Sequence, residues 1–307
     1  MKHTVAIIVI NYNTATYTID CIKSILNKTD ASINYQIIVI DNTSEVEDYL
    51  SLEQSIKALQ NSKITLFRSC INTGFGGGNM QGVQFAHANY YAFVNNDTIF
   101  ENDCISECLN FMENTPDAGI CGPQILKSKT EQSHSFDHFI SLGKLFLGSS
   151  AMEKLAGKPK RKINYTSPIK VDYVNGSFMF CNAEDFNNVG GFDTNIFLFY
   201  EESDLSYRLK KKGKFTYFLP SAKYIHYEGK SQKTSIKKKL ELKTSMLYVM
   251  QKNNGYFSYL IARYFLLIRY FLTALVKPKY FPLAIGLFTG LPLSKSYRQE
   301  QKIIKLK

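Results

Sequence analysis

Short apolar runs alternate with amphipathic segments through the first third of the chain. The apolar runs, each typical of a buried strand, cover residues 5–10, 36–40, 64–67 and 90–94. Segments with helical periodicity lie between these runs, at residues 16–26, 46–59 and 79–88. Because apolar strands joined by helices occur in parallel sheets covered on both faces, the pattern predicts an α/β fold with a mostly parallel sheet and flanking helices.

The pattern is less regular in the middle of the chain. Residues 128–168 are polar and contain several glycines and lysines, which predicts an insertion or a mobile loop. Later strands are predicted at 171–174 and 178–180, helices at 183–189 and 201–212, and short extended pieces at 217–219 and 223–226. We therefore expect a first domain over residues 1–235 with a variable insertion at 128–168.

The C-terminal part has a different character. Residues 236–252 read as a lysine-rich helix, and residues 256–276 are long enough to cross a bilayer. Arg263 and Arg269 lie within the second segment, and each arginine near the centre of a span costs about 2.5–3.5 kcal/mol. The sequence therefore predicts an extension over residues 236–307 whose amphipathic helices lie on a membrane surface. The alternative is that both helices pack on the first domain.

Charge and cysteine content narrow the setting. The formal net charge is +11, and the excess of lysine lies mostly in the C-terminal third. Such a basic region indicates an anionic partner, which could be lipid headgroups, nucleotide phosphates or nucleic acid, or else a solvated surface. The six cysteines form no C-x-x-C pair, which predicts free thiols in a reducing cytoplasm. Residues 5–10 read as a buried strand and not as the apolar core of an export signal.

Polar residues follow the predicted strands, at the edge of the sheet where α/β proteins bind ligands. Asn11, Asp41 and Asp97 all stand there. Asp41 could accept hydrogen bonds from a nucleotide base or ribose, or could be a turn residue or helix cap. Asp97, in the run Asn95-Asn96-Asp97-Thr98, could hold Mg²⁺ or Mn²⁺ against a diphosphate, or could belong to a capped turn.

Three further segments carry candidate chemistry. The run of residues 72–79 has four glycines in five positions before a predicted helix, which would let the backbone approach an anionic ligand closely. Glu201, Glu202 and Asp204 stand at a helix start, where they suit the helix dipole, and one of them could activate a hydroxyl. Asp204 also stands four residues before Arg208, which predicts an ion pair. His226 gains interest only as a second metal ligand beside Asp97.

Together these positions resemble family 2 glycosyltransferases of the GT-A fold, especially the rhamnosyltransferase-like branch. The resemblance spans residues 5–231. Its segments, in chain order, are Val9-Ile10-Asn11-Tyr12-Asn13, Ile38-Val39-Ile40-Asp41-Asn42, Asn72-Thr73-Gly74-Phe75-Gly76-Gly77-Gly78-Asn79, Asn95-Asn96-Asp97-Thr98, Asn175-Gly176-Ser177 with Gly190-Gly191-Phe192-Asp193, Phe199-Tyr200-Glu201-Glu202-Ser203-Asp204-Leu205, and His226-Tyr227-Glu228-Gly229-Lys230-Ser231.

The resemblance implies a role for each matching position. Glu202 would be the general base, with Glu201 and Asp204 as alternates. Asp97 and His226 would hold Mg²⁺ or Mn²⁺. A nucleotide-sugar site would be formed by Asn11, Asp41, Asn72, Gly77, Gly78, Asn79, Asn96 and Asp97, and an acceptor side by Asn175, Gly176, Gly191 and Asp193.

Two positions depart from the family pattern. Asn95 stands where a stricter D-x-D motif has its first aspartate, so the metal would rely on Asp97, His226 and the diphosphate itself. Glu202 replaces the commoner aspartate, and its side chain is longer by one methylene.

The expected activity is therefore inverting transfer of a sugar from a nucleotide-diphosphate donor to a hydroxyl of a glycan or lipid-linked saccharide, in cell-surface polysaccharide synthesis. We expect a cytoplasmic protein, peripheral on the inner membrane face, that binds no nucleic acid. The alternatives are a nucleotidyltransferase, which would also combine a nucleotide-binding domain with a metal, and a non-catalytic protein that binds membrane surfaces.

Overall fold

The fold is described from a computed structural model that covers residues 2–128, 131–227 and 235–304. The 228–231 part of the motif that begins at His226 lies outside these residues. The strands are β1 (His3–Asn11), β2 (Tyr35–Asp41), β3 (Ile64–Arg68), β4 (Ala88–Asn95), β5 (Thr98–Phe100), β6 (Ala118–Leu126), β7 (Phe136–Asp137), β8 (Ile169–Val171), β9 (Tyr173–Val174), β10 (Phe178–Asn182) and β11 (Phe215–His226).

The helices alternate with strands in the first half and dominate the end of the chain. They are α1 (Ala15–Lys28), α2 (Val46–Ala58), α3 (Gly74–Gln84), α4 (Cys104–Glu113), α5 (Leu142–Leu147), α6 (Ser149–Leu155), α7 (Ala183–Asn188), α8 (Glu201–Lys211), α9 (Ile236–Asn254), α10 (Tyr256–Val276) and α11 (Phe281–Phe288).

The central sheet has the strand order β3-β2-β1-β4-β10-β6-β11-β5, with β8 paired to β11. Strands β3, β2, β1 and β4 are parallel, while β10 runs antiparallel between β4 and β6. The register pairs Asn11 with Asp41 and Ile10 with Asn95, so the predicted polar ends meet at one edge. The predicted α/β fold with a mostly parallel sheet is thus confirmed.

Both faces of the sheet are covered, as continuous apolar strands require. Alternate residues of β1 point to opposite faces. Val5, Ile7 and Val9 pack with residues of α1, α2 and α4, such as Ile22. Ile8 packs on the other side, with residues of α3, α7 and α8 such as Phe186.

The C-terminal helices form a third apolar cluster. Met246, Leu247 and Met250 of α9 are buried there with Leu266 of α10 and Leu283 of α11. Helix α10 is the one helix among the described residues that is long and apolar enough to cross a membrane. Large apolar side chains of α10 and α11 are nevertheless exposed on the surface, namely Phe257, Ile261, Tyr264, Ile268, Phe271, Leu272, Leu275, Val276, Phe281, Ile285 and Phe288.

Several boundaries differ from the sequence-based prediction. The glycine-rich run is not a loop up to residue 78, because helix α3 begins at Gly74. The two predicted extended pieces near the end of the first domain are one strand, β11, with a register shift between Leu219 and Lys223. Within the predicted insertion, residues 131–168 contain β7, α5 and α6 and make ion pairs, including Lys158 to Asp172 at 2.7 Å.

Candidate active site

The ends of β1 and β2 are joined by a buried polar network. Asn11 Nδ2 donates to Asp41 Oδ1 at 3.0 Å, to Ser44 Oγ at 3.0 Å and to Asp48 Oδ2 at 2.9 Å. Arg68 Nε lies 3.3 Å from the other Asp41 oxygen. Asn11 and Asp41 are both fully buried, so this network fixes the floor of the site. A base or ribose contact of Asp41 remains a prediction.

The glycine-rich run packs against protein at close range. A side-chain carbon at Gly77 would lie 2.7 Å from Thr73 Cβ, and one at Gly78 would lie 3.0 Å from Ile10 Cδ1. Gly78 therefore seats α3 on the end of β1, and Gly77 packs against Thr73 at the start of the helix. The sequence pattern did not distinguish these packing roles from ligand contact. Nucleotide contacts of Gly77 and Gly78 remain a prediction.

Asparagines fix the chain around that run. Asn42 Nδ2 donates to Asn72 Oδ1 at 2.9 Å, and Asn42 Oδ1 accepts from Thr73 N at 3.0 Å. Asn79, which is buried, donates to the Phe75 carbonyl at 3.1 Å. The amides of Asn72 and Asn79 thus hold the first turn of α3 in place below the sheet edge.

Asp97 and His226 come together across a long stretch of sequence. The antiparallel pairing of β5 with β11 places His226 opposite Thr98, and His226 Nε2 lies 3.1 Å from Asp97 Oδ1. Asn96 turns the other way and donates to Thr14 Oγ1 at 2.7 Å. The predicted pairing of Asp97 with His226 is therefore present in the geometry.

The pair is compatible with a divalent cation. Asp97 would supply a carboxylate oxygen, the ligand type that Mg²⁺ and Mn²⁺ prefer, and His226 would supply an imidazole nitrogen beside it. His226 Nδ1 is buried without a hydrogen-bond partner in the described part of the chain. No group of three or more His, Cys, Asp or Glu side chains suited to a metal occurs among the described residues. A cation there would need oxygens from a substrate to complete its coordination.

A strained turn presents the carboxylates of α8. Phe199 and Tyr200 both have positive φ, 73° and 70°, which costs about 1–3 kcal/mol for each non-glycine residue and persists only when the surroundings enforce it. Helix α8 begins at the next residue, Glu201, so the turn sets the direction of the first side chains of the helix.

Glu201 and Glu202 have different environments. Burial raises the pKa of Glu202 to about 7, against the lowering effect of hydrogen bonds that include one from Glu201. Glu202 stays partly exposed, whereas Glu201 is buried and its pKa is raised well above the ordinary range by burial and by the neighbouring Glu202. Burial therefore favours the protonated form of Glu201, whereas Glu202 is partly ionised near pH 7 and in that form can accept a proton.

The acceptor-side segment reaches Glu202 in part. A side-chain carbon at Gly176 would lie 3.8 Å from Glu202 Oε2, so Gly176 and Glu202 face each other. Asn175 accepts a hydrogen bond from Ser177 N at 2.9 Å and so shapes this turn.

Gly191, Asp193 and Asp204 belong to a neighbouring ionic network. Asp204 is fully buried and pairs with Arg208 at 2.8 Å, which is the ion pair expected from their spacing. Lys252 of α9 lies 2.7 Å from Asp193 and 2.9 Å from Asp204. Gly191 accepts from Arg208 through its carbonyl at 2.7 Å. The alternate base Asp204 is thus engaged by two cations and faces away from solvent.

One side of the site was not predicted from any motif. Asp137 and Lys144, an ion pair at 2.9 Å from the insertion, act electrostatically on Glu202, the first raising and the second lowering its pKa. Neither residue belongs to a recognisable motif, because β7 and α5 reach Glu202 only through the tertiary fold.

Comparison with known proteins identifies the family. The sequence profile described as Glycosyl transferase family 2 matches residues 6–189, which is more than half of the chain. The chain belongs to glycosyl transferase family 2. This member is a glycosyltransferase, and transfer in the family inverts the anomeric centre. The two alternatives, a nucleotidyltransferase and a non-catalytic binding protein, are therefore set aside.

Two curated relatives support the predicted branch. The chain is 28% identical over 249 residues to Rhamnosyltransferase WbbL of Escherichia coli (strain K12). This aligned region covers 76% of this chain and 89% of the relative. It is 36% identical over 61 residues to an N-acetylglucosaminyl-diphospho-decaprenol L-rhamnosyltransferase of Mycobacterium tuberculosis (strain CDC 1551 / Oshkosh), which covers only 20% of each chain.

A solved structure supports the GT-A fold. GalNAc-T7 with UDP, GalNAc and Mn²⁺ matches with a TM-score of 0.60 at 14% identity, over 81% of this chain and 48% of that chain. At this identity the likeness concerns the fold alone.

Proposed function

We propose that this glycosyltransferase moves a sugar from a nucleoside diphosphate to a hydroxyl of a lipid-linked saccharide during cell-surface polysaccharide synthesis, with Glu202 as the general base. The main support for this proposal is the side chain of Glu202, which is partly exposed, has a pKa of about 7 and faces Gly176. A base is most effective when its pKa lies near the working pH. The relatives' names support L-rhamnose as the first sugar to test.

The reaction is a single in-line displacement. Glu202 takes the proton of the acceptor hydroxyl as that oxygen bonds to the anomeric carbon, and the bond from this carbon to the diphosphate oxygen breaks with its electron pair leaving on the diphosphate. One displacement inverts the anomeric centre. Burial favours the protonated form of Glu201, and a side-chain hydrogen bond with Glu201 helps to orient the base.

Donor binding is assigned to the sheet edge. Asp41 and Asn11 form the floor on which the base and ribose would lie, with Asn72, Asn79 and Asn96 around it. Asp97 and His226 would hold Mg²⁺ or Mn²⁺, which neutralises charge on the leaving diphosphate when bound. The 3.1 Å separation of their ligand atoms supports this assignment.

Membrane contact belongs to the same proposal. The exposed apolar side chains of α10 and α11 lie next to α9, whose first turn carries Lys237, Lys238 and Lys239. Apolar residues beside lysines suit the interface of an anionic membrane, where basic residues are attracted by about 1 kcal/mol each. A peripheral position on the inner face would bring a lipid-linked acceptor to Glu202.

Screening tests the proposal directly. The purified full chain is incubated with Mn²⁺, N-acetylglucosaminyl-diphospho-decaprenol and nucleoside-diphosphate sugars that vary in base and sugar, and the lipid product is identified by mass spectrometry and NMR. We expect transfer from a nucleoside-diphosphate L-rhamnose with an inverted anomeric centre. Release of inorganic pyrophosphate, or a product with retained configuration, would contradict the proposed chemistry.

A further inference from the structure

The segment that carries Glu202 is held from outside by the C-terminal helix α9. Ser245 Oγ donates to the Leu198 carbonyl at 2.7 Å, immediately before the strained turn at Phe199 and Tyr200. Lys252, two turns further along α9, bridges Asp193 and Asp204 at 2.7 and 2.9 Å. We infer that Lys252 is a positioning residue, which acts through this bridge to set the place of Glu202. The inference rests on the proposed role of Glu202 as base.

The bridge is part of a continuous network of alternating charge. Lys252 joins the two carboxylates, and Arg208 pairs with Asp204 at 2.8 Å on its other side. Arg208 also donates to the carbonyls of Val189 and Gly191 at 2.6 and 2.7 Å. The network therefore connects the turn after α7, the first turns of α8 and the end of α9.

The position of Asp204 explains how the network reaches the base. Asp204 lies two residues after Glu202 in the same helix and is fully buried, so a shift of its carboxylate moves the start of α8. Two consecutive residues with positive φ precede this start, and such backbone holds its conformation only under external restraint. Ser245 restrains the turn before the helix, and Lys252 restrains the helix itself.

The rest of the C-terminal segment acts on the same stretch. Arg298 donates to the Thr194 carbonyl, and the rings of Phe197 and Tyr297 pack edge to face at 6.5 Å. Residues 193–204 are therefore contacted by α9 and by the turn near residue 297. The C-terminal part supplies one wall of the turn that presents the base, in addition to any membrane contact.

We expect the Lys252→Met variant to fold, because both carboxylates keep other partners. Asp193 keeps Tyr248 Oη at 2.8 Å and Asn195 N at 3.0 Å. Asp204 keeps Arg208, with Asn253 Nδ2 at 3.4 Å. Each carboxylate thus retains partners, and the loss of Lys252 acts on their placement more than on their burial.

The test compares Lys252→Met with Lys23→Met, which removes an exposed lysine from α1. Both full-length variants are assayed with nucleoside-diphosphate L-rhamnose and N-acetylglucosaminyl-diphospho-decaprenol. We expect Lys252→Met to lower kcat by about 10²-fold, the scale of a misplacement of about 1 Å, with KM for the donor unchanged. The acid limb of its kcat profile should move to lower pH, because a displaced Glu202 is better hydrated. Lys252→Arg should restore most of kcat, and Lys23→Met should match the wild type.

Two readouts separate positioning from general destabilisation. Circular dichroism gives the folded fraction of each variant, and the pH midpoint does not depend on that fraction. The positioning role would be overturned if Lys252→Met had an unchanged pH midpoint of kcat and its kcat either equalled that of the wild type or fell only in proportion to the folded fraction. If Glu202→Gln is inactive in the same assay, the proposed function survives that result. Wild-type turnover by Glu202→Gln would overturn both.

Discussion

At the scale of single residues, two adjacent glutamates have the same side chain but different pKa values, because their surroundings differ. Glu201 and Glu202 start the same helix, yet the pKa of Glu201 is raised well above its ordinary range by burial and by the neighbouring Glu202, while burial raises the pKa of Glu202 to about 7. The side chain that faces Gly176 is Glu202, whose pKa of about 7 lies near neutral pH. The composition of the helix start cannot distinguish the two, because the difference comes from packing against α3 and β7.

The pH dependence of turnover follows from Glu202. The base works as a carboxylate, and its folded pKa is raised to about 7, so kcat should fall as the pH falls through about 7 and level off above it. Glu202→Gln should lower kcat by about 10²–10⁴-fold. Glu201→Gln, which remains neutral and keeps a donor, should retain the midpoint. A pH profile of single-turnover rates checks this, and a midpoint near the ordinary glutamate value would contradict the assignment.

The metal pair gives a second prediction at this scale. The affinity for Mn²⁺ in the presence of a nucleoside diphosphate can be measured by electron paramagnetic resonance. We expect Asp97→Asn or His226→Ala to lower this affinity at least about tenfold, because the remaining ligand and the substrate oxygens cannot fully replace the lost group. Asp20→Asn, which removes an exposed carboxylate from α1, serves as the control. Equal manganese affinity in all of these proteins would remove Asp97 and His226 from the metal site.

At the scale of elements, periodicity predicted the framework well because it reports burial directly. Strand β1 was expected from six apolar residues, and α10 was expected with its observed bounds. The prediction of a loop before the helix was wrong for the glycine-rich run, because α3 already begins at Gly74. Glycines that allow close helix packing and glycines that allow ligand contact look the same in sequence. Gly78 lies against Ile10, a contact across the fold that no local pattern contains.

The candidate site was predictable only where motifs carry it. The pairing of Asp97 with His226 was inferred from a family resemblance, and the separation of their side chains agrees with it. Asp137 and Lys144 were missed, since they arrive beside Glu202 from an insertion whose polar composition indicated only a loop. Contacts between charged residues that are far apart in sequence produce no periodic pattern along the chain. The effect of Asp137 and Lys144 on the pKa of Glu202 could therefore be identified only from the structure.

At the scale of the whole molecule, the division into residues 1–235 and 236–307 stays a prediction, and the two parts are in contact. Ser245 and Lys252 of α9 contact Leu198, Asp193 and Asp204 of the first part. The face of α10 and α11 that points away remains apolar and exposed. A membrane on that face would therefore connect through α9 to the turn that presents the base.

The exposed face gives the prediction that belongs to this scale. Ile268 and Leu275 are 62% and 60% exposed on α10, and each such side chain contributes about 1.5–3 kcal/mol when it is fully buried in an apolar phase. The double substitution Ile268→Asp and Leu275→Asp should therefore weaken binding to phosphatidylglycerol-containing vesicles at least about tenfold in sedimentation. Val46→Asp, at a 53% exposed site on α2, should bind as the wild type does. Since the lysines of α9 add an electrostatic component, binding of the wild type should also fall as salt is raised. Equal binding by the double variant would show that this face does not contact lipid, and the acceptor would then have to reach Glu202 by another side of the molecule.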